Sequence, residues 1–150
     1  METNSKLFEE NKKTARLAFE AFEKKDLTLL DRITDPNYKL HFPGSPTPLN
    51  YEESKKLQTD YTRAFPDMKI TIVNQVAEGD CVVTQMTYTG THKGELQGVT
   101  ATGKKVKVTG MSLQKITNGK ITEEWAEFDA LGMMQQIGAI PEMATQPLSY

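Results

Sequence analysis

The sequence predicts an α+β fold, in which a strongly bent antiparallel or mixed sheet wraps as a cone over three N-terminal helices. Three observations carry that prediction. Apolar residues in the first third recur at helical spacing, with lysines and glutamates between them. From Met68 onward the period falls to two. Asn118-Gly119, set between alternating segments, is a strong hairpin signal. Helices first and strands afterwards argue against a βαβ repeat.

Each element has its own evidence. Phe8, Ala15, Ala18, Phe19 and Phe22 form the apolar stripe of the first helix. A short second helix covers Leu27 to Ile33 and stops before Asp35-Pro36. Tyr38, Leu40 and Phe42 alternate as a strand does, and the loop PGSPTP breaks it. Asn50 followed by Glu53 starts a third helix, whose buried stripe is Leu57, Tyr61, Ala64 and Phe65 and which Pro66 ends. Ile70, Ile72 and Val76 belong to one strand, Gly79-Asp80 turns the chain, and Val82 to His92 make the next. A long strand from Lys104 to Thr117 runs through Asn118-Gly119 into one that begins at Lys120. Within it the apolar residues change parity from Val106 and Val108 to Met111 and Leu113. Gly110 sits at the change, which predicts a β-bulge or sharp bend there. A closing helix, Leu131 to Ile137, ends at Gly138. Residues 5–138 read as the core of a single domain spanning 1–150, and residues 139–150 as a tail without clear periodicity.

Composition narrows the function. The chain of 150 residues is long enough to bury roughly two-thirds of its unfolded surface. A net charge of −2 gives no reason to expect nucleic acid or an anionic membrane as partner. The first residues hold no apolar run like the core of a secretory signal, and no stretch of about 18 apolar residues occurs anywhere. The expected compartment is the cytoplasm. A lone Cys81 excludes an internal disulfide, and with only two histidines a metal site is not expected. No phosphate loop or nucleophile elbow is present. Lys104, Lys105 and Lys107 read as a solvated edge that discourages strand pairing.

The segment EEWAEFDALG, residues 123–132, concentrates the chemistry. Period two puts Ile121, Glu123, Trp125, Glu127 and Asp129 on one face, and Thr122, Glu124, Ala126 and Phe128 on the other. If the first face is solvated, its carboxylates are surface charges. If it lines a concavity, Trp125 is a pocket wall and Asp129 is placed as a general base. Asp129 suits the N-cap of the closing helix equally well. Trp125 and Asp129 are expected to point in and Glu124 out. Glu123 and Glu127 share the inward parity, but several buried carboxylates on one strand would repel, so parity alone does not place them. His92 lies on the face of Val82, Thr84, Met86 and Tyr88, and His41 just precedes Pro43-Gly44. Each histidine taken singly is more often a satisfied structural group than a catalyst. Met86, Met111, Met133 and Met134 suit an adaptable apolar cavity or an ordinary core.

Four segments carry a family resemblance: AFPDM (64–68), YTGTHKGELQGV (88–99), ATGKKVKVTG (101–110) and NGKITEEWAEFDALGMMQQIG (118–138). In this order they resemble the SnoaL-like polyketide cyclases of the nuclear transport factor 2-like superfamily, from about residue 8 to residue 138. The resemblance implies a cone paired through its sheet as a homodimer, a deep apolar cavity, and acid–base chemistry without a cofactor. In those cyclases an aspartate removes a proton alpha to a carbonyl, and the enolate closes a ring by aldol attack. The matching residue is Asp129; Trp125 matches a cavity-wall aromatic, and His92 a position facing the cavity. The chain departs from the pattern at Gln85-Met86, where relatives often have Arg-Trp, and at Thr100-Ala101, where they often have proline.

These readings combine into one expectation: a cyclase or isomerase acting on an apolar, carbonyl-containing small molecule. Asp129 is its base, and His92 or His41 donates to the enolate oxygen. Trp125, Phe42, Met86, Tyr61, Met111 and Glu123 contact the substrate. The alternatives are a binding module of the same fold, or a hydrolase or dehydratase in which Asp129 activates water.

Overall fold

Local chemistry sets the element boundaries, and the computed structural model describes residues 2–141. The predicted tail lies mostly outside the described residues, at 142–150. α1 (Glu2–Lys24) buries Ala15, Ala18 and Phe19 of its expected stripe, and Lys25 leaves it with φ 58°. Asp26 caps α2 (Leu27–Ile33) by accepting a hydrogen bond from the amide of Leu29. β1 (Thr34–His41) follows at once. α3 (Tyr51–Ala64) opens on a capping box, with Asn50 accepting from the Glu53 amide at 2.9 Å and Glu53 from the Asn50 amide at 2.8 Å. Then come β2 (Lys69–Glu78), β3 (Cys81–Thr91), β4 (Lys105–Thr117), β5 (Lys120–Phe128) and α4 (Ala130–Gln136). Asn118 (φ 51°) and Gly119 (φ 75°) make the β4–β5 hairpin turn, both left-handed as a two-residue turn of this type requires.

The five strands form one open mixed sheet in the order β1-β5-β4-β3-β2. Its neighbours are antiparallel, except that β1 runs parallel to β5. α1 lies over β2 and β3, while α2 and α3 cover the β1 side. Val82, Met86, Val106, Val108, Ile116 and Ile121 face these helices and are buried. No helix among the described residues is long and apolar enough to cross a membrane.

Two register details correct the sequence reading. β3 pairs with β4 through Gly110 without a shift, so the bulge expected at that glycine does not form. Val106, Val108, Gly110, Ser112, Gln114 and Ile116 all alternate inward, and the apolar Met111 and Leu113 lie on the outer face. Gly110 serves close approach instead: a Cβ there would stand 3.0 Å from the Tyr88 ring and 3.1 Å from the Glu127 carbonyl.

The bulge is in β5. Ile116 pairs with Ile121, but Lys115 pairs with Glu123, so Thr122 is an extra residue. It reverses the parity of everything after it. Glu124, Ala126 and Phe128 turn inward with Ile121, whereas Glu123 and Trp125 turn to the outer face, which reverses the inward placement expected for Trp125 and the outward one expected for Glu124.

Candidate active site

Between the helices and the inner face of the sheet lies a cavity of about 130 Å³. Phe19, Phe22, Leu57, Phe65, Val106 and Val108 make apolar walls. Phe42, Tyr61 and Phe128 pack around one another in its lining, with ring centroids 5.5 to 6.2 Å apart. Such a concavity, mostly apolar with a few convergent polar groups, is the usual form of a small-molecule site.

The polar groups gather on Glu124. Tyr38 Oη donates to its Oε2 at 2.7 Å, and Ser112 Oγ donates to its Oε1 at 2.8 Å. Among the described residues no lysine or arginine forms an ion pair with it. Gln114 sits directly across from Glu124 in the β4–β5 pairing. Burial, then the Glu124 charge and hydrogen bond, push the Tyr38 hydroxyl well above its ordinary pKa, so it remains a proton donor. Tyr88 is raised by burial and by the same carboxylate, and its hydroxyl rests 3.1 Å from the Met86 sulfur. Burial alone raises Tyr61 to about 12.

Asp129 takes the cap and not the cavity. Its carboxylate accepts from the Gly132 amide at 2.8 Å as N-cap of α4; the residue is exposed and lies outside the cavity wall. A side chain at Gly132 would collide with that carboxylate, so the glycine leaves room for the cap. Asparagine caps about as well as aspartate, so Asp129→Asn is expected to leave thermal stability almost unchanged. Asp129→Ala should lose about 0.5–2 kcal/mol. Thermal unfolding of the two variants side by side checks the pair.

His92 is fully buried, with Nδ1 3.0 Å from Thr102 Oγ1 and its ring 5.6 Å from that of Phe65. It is not part of the cavity wall and shares no hydrogen bond with Asp129. His41, Glu123 and Trp125 do come together, but on the outer face. His41 Nε2 lies 2.7 Å from Glu123 Oε2, and the His41 and Trp125 rings stack at 4.7 Å. Phe42 and Tyr61 line the cavity. Met86 is buried behind Tyr88, outside the lining. Met111 touches the cavity edge, yet it is 51% exposed and alternates with inward Gly110 and Ser112, so its side chain belongs outside. Glu124, Tyr38, Ser112 and Gln114 were not anticipated. The available signal was the pair of polar residues on the inward phase of β4, between Val108 and Ile116. Among the described residues no three His, Cys, Asp or Glu side chains converge on a common metal position.

The SnoaL-like polyketide cyclase family model matches residues 12–137. IdmH of Streptomyces antibioticus, a candidate polyketide cyclase, is 30% identical with a TM-score of 0.78, over 85% of this chain and 98% of its own. A candidate polyketide cyclase from Acidithiobacillus ferrooxidans is 28% identical with a TM-score of 0.75, over 85% and 94%. AclR of Streptomyces galilaeus, a candidate hydroxylase, shares the fold at a TM-score of 0.83 with 24% identity, over 92% and 87%. No curated relative matches the chain.

Proposed function

The chain belongs to the SnoaL-like polyketide cyclase family, and from that premise we propose a cofactor-free enzyme of the cyclase or isomerase type. It moves a proton at the carbon alpha to a carbonyl of an apolar small molecule. The observation that supports this most is Glu124, a carboxylate without an ion-pair partner in an otherwise largely apolar cavity, oriented by two hydroxyl donors. A carboxylate fixed in a ligand-sized cavity by two donors is within reach of a bound substrate's carbon-bound proton, the geometry a general base needs. Glu124 takes the proton from carbon and leaves an enolate. In a cyclase the enolate carbon attacks a second carbonyl, and the resulting alkoxide takes up the proton held by Glu124; in an isomerase Glu124 returns the proton at a different carbon. Tyr61, a neutral phenol in the cavity lining, is the donor suited to the enolate oxygen. The family resemblance assigns the base to Asp129. The cap geometry supports Glu124 in its place.

Exchange of the α-protons of 2-tetralone in D₂O, followed by proton NMR, tests the reading. This apolar bicyclic ketone reports enolisation without needing the natural substrate. Accelerated exchange, competed by a non-enolisable ligand of the cavity, is the expected result. Binding without acceleration, by this or other cyclic ketones, would replace the enzyme with a binding module. The outer face of the sheet exposes Val73, Val76 and Met111 at 59%, 57% and 51%. This supports pairing of two copies through the sheet, and sedimentation at micromolar concentration should show a dimer.

A further inference from the structure

We propose that Tyr88 is a second catalytic donor: its phenolic O–H bonds the carbonyl oxygen of the substrate from the sheet side while Tyr61 bonds it from the helix side. The inference rests on the proton-transfer reading and adds a residue to it. Tyr38, Tyr51, Tyr61 and Tyr88 all line the cavity. Two of these hydroxyls are committed to carboxylates, Tyr38 to Glu124 and Tyr51 to Asp31, each at 2.7 Å. The Tyr88 hydroxyl donates instead to the Met86 sulfur at 3.1 Å, its one hydrogen bond among the described residues. A thioether is a weak acceptor. Exchanging it for an oxygen that is gaining negative charge is favourable, because hydrogen bonds to charged acceptors are about twice as strong as neutral ones.

Strand register sets where that hydroxyl stands. The Tyr88 ring rests against Gly110, where a Cβ would come within 3.0 Å of its Cε2. The next inward residue of β4 is Ser112, whose hydroxyl donates to Glu124. Two strand residues span about 7 Å, so the phenol and the group that holds the base are neighbours on the inner face. Glu124 is near enough to act on it: after burial, the charge of that carboxylate is what raises the Tyr88 hydroxyl, so the phenol keeps its proton. Phe128 joins the two donors. Its ring lies 6.2 Å from that of Tyr61, and its Cβ would stand 3.4 Å from the same Cβ at Gly110. Tyr61 of α3 and Tyr88 of β3 therefore flank Phe128 from the helix wall and the sheet wall. As Glu124 takes the α-proton, the C–H electron pair becomes the C=C bond and the carbonyl π pair moves onto oxygen. The Tyr88 hydrogen bond strengthens as that charge forms, and the phenol keeps its own proton throughout.

Exchange of 2-tetralone α-protons, measured against ketone concentration, separates kcat from KM. Tyr88→Phe keeps the ring and removes one oxygen. It should lower kcat by about 10²-fold, the loss for one donor to a developing oxyanion. KM should stay within about threefold, because the ketone oxygen carries little charge before the proton leaves. Thermal unfolding should remain near that of the wild type, since the fold loses only a weak bond to sulfur. A residue that merely packs would leave both constants unchanged, as phenylalanine fills the same space. If Tyr88→Phe keeps kcat within about twofold while Glu124→Gln loses it, the inference fails and the base stands. A rise in KM alone would make Tyr88 a binding contact, which also overturns the inference. If the wild type does not accelerate exchange, the inference falls together with the proton-transfer reading.

Discussion

Glu124→Gln is expected to slow enzyme-dependent α-proton exchange of 2-tetralone by a factor of about 10²–10⁴, the contribution a positioned general base makes. The substitution preserves shape, so the loss should come without unfolding. Glutamine still accepts through one atom, and its amide can donate to whichever hydroxyl, Tyr38 or Ser112, turns to receive it. Thermal unfolding of the variant should therefore stay near that of the wild type. Asp129→Asn in the same assay should retain exchange within about twofold, because Asn replaces the cap and no proton-transfer group is lost. The opposite pattern, with Asp129→Asn inactive and Glu124→Gln intact, would return the base to Asp129. The cap on Gly132 would then have to open during turnover. Exchange untouched by both substitutions would leave neither carboxylate as the base.

The helices were legible because their signals are local. The α1 stripe repeats within the helix, and Asn50 and Glu53 form the α3 capping box through residues three apart. The Asn118-Gly119 turn needs nothing beyond its two left-handed residues. Of the candidate site, Phe42 and Tyr61 were legible as lining, but its polar groups were not, for two reasons that are both tertiary. First, a period of two holds only along an unbroken strand, and the bulge at Thr122 shifts the phase by one. Ile121 faces in and shares sequence parity with Trp125, so it lends weight to the wrong face. Nothing in ITEEW marks the extra residue; the partner strand decides it. Second, β4 reverses the usual division of polar and apolar. Ser112 and Gln114 face the cavity while Met111 and Leu113 face out. A strand that serves a polar-ended cavity departs from the pattern of a strand that serves a core, and the site is where pattern reasoning should fail. The predicted cluster of His41, Glu123 and Trp125 shows the other side of this. These three residues do meet, through strand pairing, but on the face away from the cavity.

Phe65→Ala is the substitution expected to cost most in stability, about 3–5 kcal/mol, as for other buried Phe truncations. In a chain of this length that lowers the thermal midpoint by roughly 6–20 °C. Phe65 is 3% exposed and closes α3, its amide donating to the Tyr61 carbonyl at 2.8 Å. Its ring lies beside His92, and Gly90 packs so tightly on it that a Cβ there would stand 3.1 Å from the Phe65 Cβ. The void left by truncation is hard to fill. The amides of Lys93 and Gly94 both bond the Ala64 carbonyl, and a side chain at Gly94 would already run into the Arg63 carbonyl, so backbone closes off that side. Because Phe65 also lines the cavity, the void should merge with it and enlarge the site. An apolar ligand that binds the folded protein alone then stabilises the variant more than the wild type, in proportion to the logarithm of ligand concentration over Kd. Thermal unfolding with and without 2-methylnaphthalene reads both effects at once. A loss below about 1 kcal/mol would place the site among those that collapse on truncation. It would mean that α3 and the segment after β3 close over the gap, and that the cavity wall yields to its contents instead of selecting them.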